Sequence, residues 1–237
     1  MINTVNEWLH QEKLIHRNKI SDYVCFIEKD LENPLAMTDK ILINGKEYNA
    51  LHVNTAYINR FDEVLDFVFK PHGDVDLSKL IKKTAQNKYE VTKPEYNCEN
   101  LNKLIQKLNN YSEKSSYKDK MEIYDGISEA IPYWRKISTG KKAVMADFSY
   151  NGQFLHEQGH LLHQASGLYR ELGDNTSAMF REFQQRNVQN IANNVSDYAC
   201  NSPLEFVAEV YKQHRKGVKF DKDVLNLYAK YDGPVLL

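Results

Sequence analysis

The stretch Phe154–His163, FLHEQGHLLH, constrains the fold of this chain more than any other. An α-helix turns ~100° and rises ~1.5 Å per residue. With His156 at zero on such a wheel, His160 lies at about +40° and His163 at about −20°. Phe154, Leu155, Leu161, Leu162 and Ala165 fall in the opposite arc, roughly 140° to 260°. A helix over 153–166 with this pattern buries one side and gathers its histidines on the other. Glu157 stands about 100° round, at the flank of the polar face, and Gly159 lies at about −60°. Gly159 has no side chain to obstruct an approach beside His160.

The H-E-x-x-H spacing carries a specific chemistry. Two imidazoles one turn apart can both place a ring nitrogen ~2.0–2.1 Å from one zinc ion. A glutamate directly after the first histidine then reaches a water on that ion. A helix whose solvent face merely carries histidine gives the same letters, so both readings stand at this point. His163 lies ~10 Å along the axis from His156. One small ion cannot easily take all three from a straight helix, so His163 reads as a residue of the rim, of the surroundings of the ligands, or of the surface.

A catalytic zinc site takes three protein ligands and keeps one position open. Downstream, Ser202-Pro203-Leu204-Glu205 opens a helix over 203–216. S-x-x-E with proline at the first helical position is a capping box, and a capping glutamate needs no metal. Two observations oppose that reading. Glu209 lies one turn after Glu205 on the same face, and Leu204, Phe206, Val207, Ala208, Val210 and Tyr211 bury much of this helix. Two acids there are costly unless something positive pairs with them, and no lysine or arginine falls between Glu205 and Val210. A metal and its histidines would be the partner, with Glu205 on the ion and Glu209 accepting a hydrogen bond from His156. Tyr198, seven residues before Glu205, can stabilise an oxyanion or donate a proton. On its own, among 15 tyrosines, it reads as a core residue.

Taken together, His156-Glu157-Gln158-Gly159-His160, then Tyr198, then Glu205 within PLEFVAE resemble the lethal-factor-like zinc peptidases, a family that includes Pro-Pro endopeptidases. That family has an HEFGH helix, a tyrosine, and a glutamate ligand opening an EFFAE helix. The 45 residues from His160 to Glu205 and the seven from Tyr198 to Glu205 resemble its spacings. The resemblance implies a zincin fold and a zinc endopeptidase acting on a protein or peptide, as a bacterial toxin or effector protease does. It implies His156, His160 and Glu205 as zinc ligands, Glu157 as general base and Tyr198 as transition-state stabiliser. Gln158 replaces the aromatic of HEFGH, Val207 replaces the second phenylalanine of EFFAE, and His163 is extra. None of these removes a catalytic group, and no motif selects a substrate. A regulatory zinc peptidase that cleaves a repressor or itself shares this chemistry. A binding module that keeps the scaffold shares the residues.

The rest of the chain sets the frame. With 237 residues, 42% of them hydrophobic, it can bury one large core, so a single domain is expected, with 1–110 as a possible subdomain. Lys+Arg 31 against Asp+Glu 32 gives no reason to expect nucleic acid. Cys25, Cys98 and Cys200 form no CxxC and read as small buried hydrophobes. The start lacks a basic residue run followed by an apolar one, so no signal peptide is expected. No stretch approaches ~18 apolar residues, so no transmembrane segment is expected.

Periodicity predicts helices over 3–17, 21–32, 60–69, 76–87, 99–111, 118–131, 175–192 and 222–231 besides the two above. Asn44-Gly45 within 39–53 predicts a hairpin. Residues 87–97 read as a loop with a short strand, and 110–120 as a loop inside a domain. Ala143–Phe148 reads as a strand, and as the candidate edge beside which an extended substrate would lie. The expected class is α+β, mostly helical with a small mixed sheet.

Overall fold

The computed structural model describes residues 23–29, 36–71, 75–139 and 149–236. Its first described element is a strand, β1 (Tyr23–Glu28), where the spacing of Val24, Ile27 and Leu31 predicts a helix over 21–32. Tyr23, Val24, Phe26 and Ile27 are aromatic or β-branched and suit a pleated surface. An apolar run this short does not separate the two periods. The helix predicted over 3–17 and the strand predicted over Ala143–Phe148 lie outside the described residues.

The hairpin forms as expected. β2 (Ala36–Ile43) and β3 (Lys46–Asn54) pair antiparallel, from Ile43 opposite Lys46 to Ala36 opposite Val53. Asn44 and Gly45 turn between them with φ of 50° and 79°, the paired positive values of a type I′ turn. β1 pairs with β3 in parallel, so the sheet is mixed, in the order β1-β3-β2. One face of the hairpin gathers Ala36 and Thr38 with Val53 and Leu51, and of these Ala36, Leu51 and Val53 are buried.

After α1 (Ala56–Asn59) and α2 (Phe61–Val68) the chain departs from expectation again. The helix predicted over 76–87 is a 3₁₀ turn at Leu77–Lys79 followed by β4 (Ile81–Lys83). β4 pairs antiparallel with β5 (Tyr89–Val91). Asn87, with φ of 59°, sits in the left-handed region inside the connecting turn, which a helix cannot accommodate. The helices α3 (Glu99–Asn110) and α4 (Tyr117–Thr139) then pack over this part. Phe61, Val64, Leu80, Leu104, Ile123 and Ile127 lie in the first hydrophobic core.

The second half is helical: α5 (Tyr150–His163), α6 (Tyr169–Gly173), α7 (Ala178–Phe183), α8 (Arg186–Asn193), α9 (Pro203–Arg215) and α10 (Lys222–Lys230). The single helix predicted over 175–192 is two, because Gln185 is extended, with ψ of 142°, before α8 begins. Phe183, Val195, Phe206, Val207, Val210 and Tyr231 lie in a second core. Phe206, Val207 and Val210 are fully buried, and each such side chain contributes ~1.5–3 kcal/mol. That anchorage lets α9 carry acids into the interior. The class is α+β, mostly helical. Among the described residues no helix is long and apolar enough to cross a membrane.

Candidate metal centre

The histidine helix starts at Ser149, whose Oγ accepts a hydrogen bond from the Gly152 amide at 3.1 Å. It is not the one-sided helix that its pattern predicts. His156, Gln158, His160 and His163 are as buried as Phe154, Leu155, Leu161 and Leu162, while Ala165, past the helix end, is exposed. Different neighbours cover different sides. β2 reaches Glu157 through Thr38. α9 lies against Gly159, where an added β-carbon would stand 3.0 Å from Ala208 Cα and 3.3 Å from Tyr211 Cβ. The room left by this glycine is therefore filled by a helix backbone.

That close approach brings Glu205 to the histidines. Ser202 caps α9, its Oγ accepting from the Glu205 amide at 3.1 Å. The Glu205 carboxylate turns the other way. Its Oε2 lies 2.9 Å from His156 Nε2 and 3.4 Å from His160 Nε2, and the two Nε2 atoms are 3.0 Å apart. The cap at this end of α9 is thus the Ser202 side chain, while the Glu205 carboxylate lies among the histidines.

Behind them, Glu209 Oε1 lies 2.8 Å from His156 Nδ1. Ser196 Oγ donates to Glu209 Oε2 at 2.8 Å, and Lys212 Nζ donates to Oε1. A carboxylate served by these donors is ionised and accepts the His156 Nδ1 proton, so when the ring gives up its second proton the lone pair is left on Nε2. Burial alone would raise the Glu209 carboxyl, but His156 and Lys212 hold it below the usual range.

The arrangement fits a metal ion on three counts. Ligand atoms ~2.0–2.1 Å from a tetrahedral zinc stand roughly 3.4 Å from one another, close to the distances here. Glu205 Oε2 is buried and makes no hydrogen bond of proper geometry despite its near neighbours. Lone-pair atoms at this separation repel unless a positive charge lies among them. Among the described residues, Glu157, Glu205 and Glu209 bring three carboxylates together with the ammonium of Lys212; His156 offsets one of them only while it holds a second proton, and a divalent cation would take over that role when the ring gives the proton up. Two imidazoles and one carboxylate suit zinc rather than the all-oxygen preference of calcium or magnesium. His156, His160 and Glu205 are the group that could hold the metal.

Glu157 is half-buried at the flank of this group, and Thr38 Oγ1 donates to its Oε2 at 3.1 Å. Burial pushes its carboxyl up, against the lowering effect of His160, His156 and Thr38. A carboxylate shifted this way is a stronger base near neutral pH. Tyr198 lies in the 3₁₀ turn Tyr198–Cys200 with its ring inclined at 60° to that of His156, centroids 5.6 Å apart. Burial, with the charges of Glu205, Glu157 and Glu209, pushes its hydroxyl up to about 12, so it remains a donor. Asp197 Oδ1 accepts from the Tyr198 amide at 3.0 Å, and Arg135 Nη1 reaches Asp197 Oδ2 at 3.4 Å.

His163 is the correction. It is neither rim nor surface but 1% exposed. Its Nε2 proton goes to the Tyr231 carbonyl at 2.8 Å, and it stands apart from the three ligating atoms. Burial pushes its pKa down to about 4.

Thr38, Ser196 and Lys212 are the residues that sequence reasoning missed. Lys212 was within reach of it: it stands three residues after Glu209 on the same helix, one turn along the same face. Thr38 is 119 residues from Glu157 and carries no local signal. Compared with known proteins, the chain matches no family model, no curated protein and no solved structure.

Proposed function

We propose that this chain is a zinc-dependent endopeptidase of the lethal-factor-like kind, with a zincin fold and a protein or peptide substrate. The observation that carries the reading is the convergence of His156 Nε2, His160 Nε2 and Glu205 Oε2 within 3.4 Å of one another, beside the Glu157 carboxylate. Bound zinc would lower the pKa of a water toward ~7 and polarise the scissile carbonyl. His156, His160 and Glu205 would hold the ion, and Glu209, facing His156 Nδ1, would fix the tautomer that leaves Nε2 free to do so. Glu157 takes a proton from the attacking water and delivers it to the nitrogen of the leaving amine. Thr38, donating to Oε2, orients this carboxylate. The Tyr198 hydroxyl donates a hydrogen bond to the oxyanion that forms as water adds to the carbonyl. An extended peptide beside the sheet would supply backbone hydrogen bonds for binding.

The test is the zinc content of the purified protein together with cleavage of a diverse peptide library, wild type beside Glu157→Gln. The expected result is one zinc ion per chain in both and cleavage by the wild type alone. A wild type without zinc overturns the metal site, and equal cleavage by Glu157→Gln overturns the assigned base.

A further inference from the structure

We infer that Lys212 is a positioning residue of this centre: from behind the ligands it fixes the Glu209 carboxylate, and through it the ring of His156. The inference rests on the zinc-site reading above.

A fully buried lysine requires an explanation, because lysine is almost never buried unless paired. Lys212 is 1% exposed and stands on α9 one turn beyond Glu209, to whose Oε1 its ammonium donates. The same oxygen faces His156 Nδ1 at 2.8 Å. The other oxygen takes the Ser196 hydroxyl at 2.8 Å, and Ser196 Oγ in turn accepts from the Ala199 amide at 3.0 Å. The carboxylate is therefore clamped at both oxygens, by α9 at one and by the turn before Tyr198 at the other. The His156 ring can take only the orientation this clamp permits.

The charges explain why the clamp includes a cation. Glu209 shares the interior with Glu205 and Glu157, and unscreened carboxylates repel one another. A hydroxyl orients a carboxylate but does not offset its charge. Lys212 does both, from a stretch of α9 in which Val210 and Tyr211 are buried with it. A lysine that merely made the burial of Glu209 tolerable would act on folding alone. A lysine that holds His156 through Glu209 must also act on metal affinity, since partners of ligating histidines typically contribute 10–100-fold to it.

The experiment measures zinc dissociation constants by competition with a chromophoric chelator. It uses full-length wild type, Lys212→Met, Lys212→Gln, Glu209→Gln and the double variant Glu209→Gln/Lys212→Met, with circular dichroism as the folding control. Lys212→Met is expected to bind zinc about 10–100-fold more weakly. Lys212→Gln, a donor without charge, should fall between it and the wild type. In the Glu209→Gln background the lysine change should have little further effect. Folded Lys212→Met with wild-type affinity overturns the inference, as does an equal loss in both backgrounds. If Lys212→Met does not fold, wild-type affinity in Lys212→Gln overturns it instead. A wild type that binds no zinc removes the underlying reading, a different result from a wild type that binds zinc and ignores Lys212.

Discussion

Gly159 and Ala208 touch where the two ligand-bearing helices cross, and a β-carbon on Gly159 would meet Ala208 Cα at 3.0 Å. α5 carries His156 and His160, and α9 carries Glu205 and Glu209, so the distance between these helices is also the distance between donors. Glycine inside a helix costs about 0.5–1 kcal/mol relative to alanine, yet alanine should be worse here. Gly159→Ala is expected to lose about 1–3 kcal/mol of stability, the usual cost of overpacking, and to weaken zinc binding as α9 is pushed outward. Thermal melting and chelator competition check both effects. Unchanged affinity would mean that the donors do not depend on this crossing.

Ser202 and Glu205 should separate cleanly. Ser202→Ala removes a cap, worth about 1 kcal/mol, and should leave zinc affinity nearly unchanged. Glu205→Ala should keep the helical circular dichroism signal and lose most of the bound zinc. Full zinc occupancy in Glu205→Ala would return Glu205 to capping duty.

Thr38→Val keeps the shape of the side chain and deletes its hydrogen bond to Glu157. A bond to a charged group is worth ~1.5–3 kcal/mol, so kcat should fall about tenfold or more, with KM and zinc content unchanged. Thr38→Ser should restore it. Loss of zinc in Thr38→Val would show that the contact supports the fold rather than the base.

The pH dependence should differ between metal-free and zinc-loaded protein. Burial would lower the pKa of His156, but the adjoining carboxylates of Glu205 and Glu209 outweigh it and raise it to about 9. In metal-free protein its proton therefore favours the folded state. That stabilisation is complete below the unfolded value of ~6.5 and is lost as pH rises through about 9. Zinc requires the unprotonated ring, so its affinity grows with pH. The melting temperature in excess chelator should fall between pH 6.5 and 9, and the gap opened by added zinc should widen. Parallel curves would contradict a ligating His156.

His163 has the opposite sign. Its folded pKa of about 4 lies below the unfolded value, so its contribution is complete above ~6.5 and is lost as pH falls toward 4. The shift corresponds to roughly 3 kcal/mol. His163→Gln, which retains a donor toward Tyr231, should flatten the acid limb of a denaturant-melting series. An unaltered acid limb would show that other groups govern it.

The candidate site was more legible than the fold around it. His156, Glu157 and His160 are neighbours on one helix, and a helix converts local spacing directly into geometry. Glu205 and Glu209 obey the same rule on a second helix. The turn at Asn44-Gly45 is equally local, since its two positive φ values need these residue types. What the sequence hides is which surfaces meet. Helical spacing in 21–32 does not reveal that β3 lies alongside to pair with it. The polar side of FLHEQGHLLH reads as solvent-facing until Thr38, Ala208 and Tyr231 are found against it. Lys212 escapes for another reason: a search for cations that stops at Val210 ends half a turn before the residue that pairs with Glu209.

The bond between His163 and the Tyr231 carbonyl also has a consequence in time. Ribosomes deliver a chain from its first residue onward. The helix bearing His156 and His160 therefore emerges before Glu205 and Glu209 exist, and well before the backbone that receives the His163 proton. The proposed metal centre, assembled in this order, lacks its carboxylate ligand until α9 has been made.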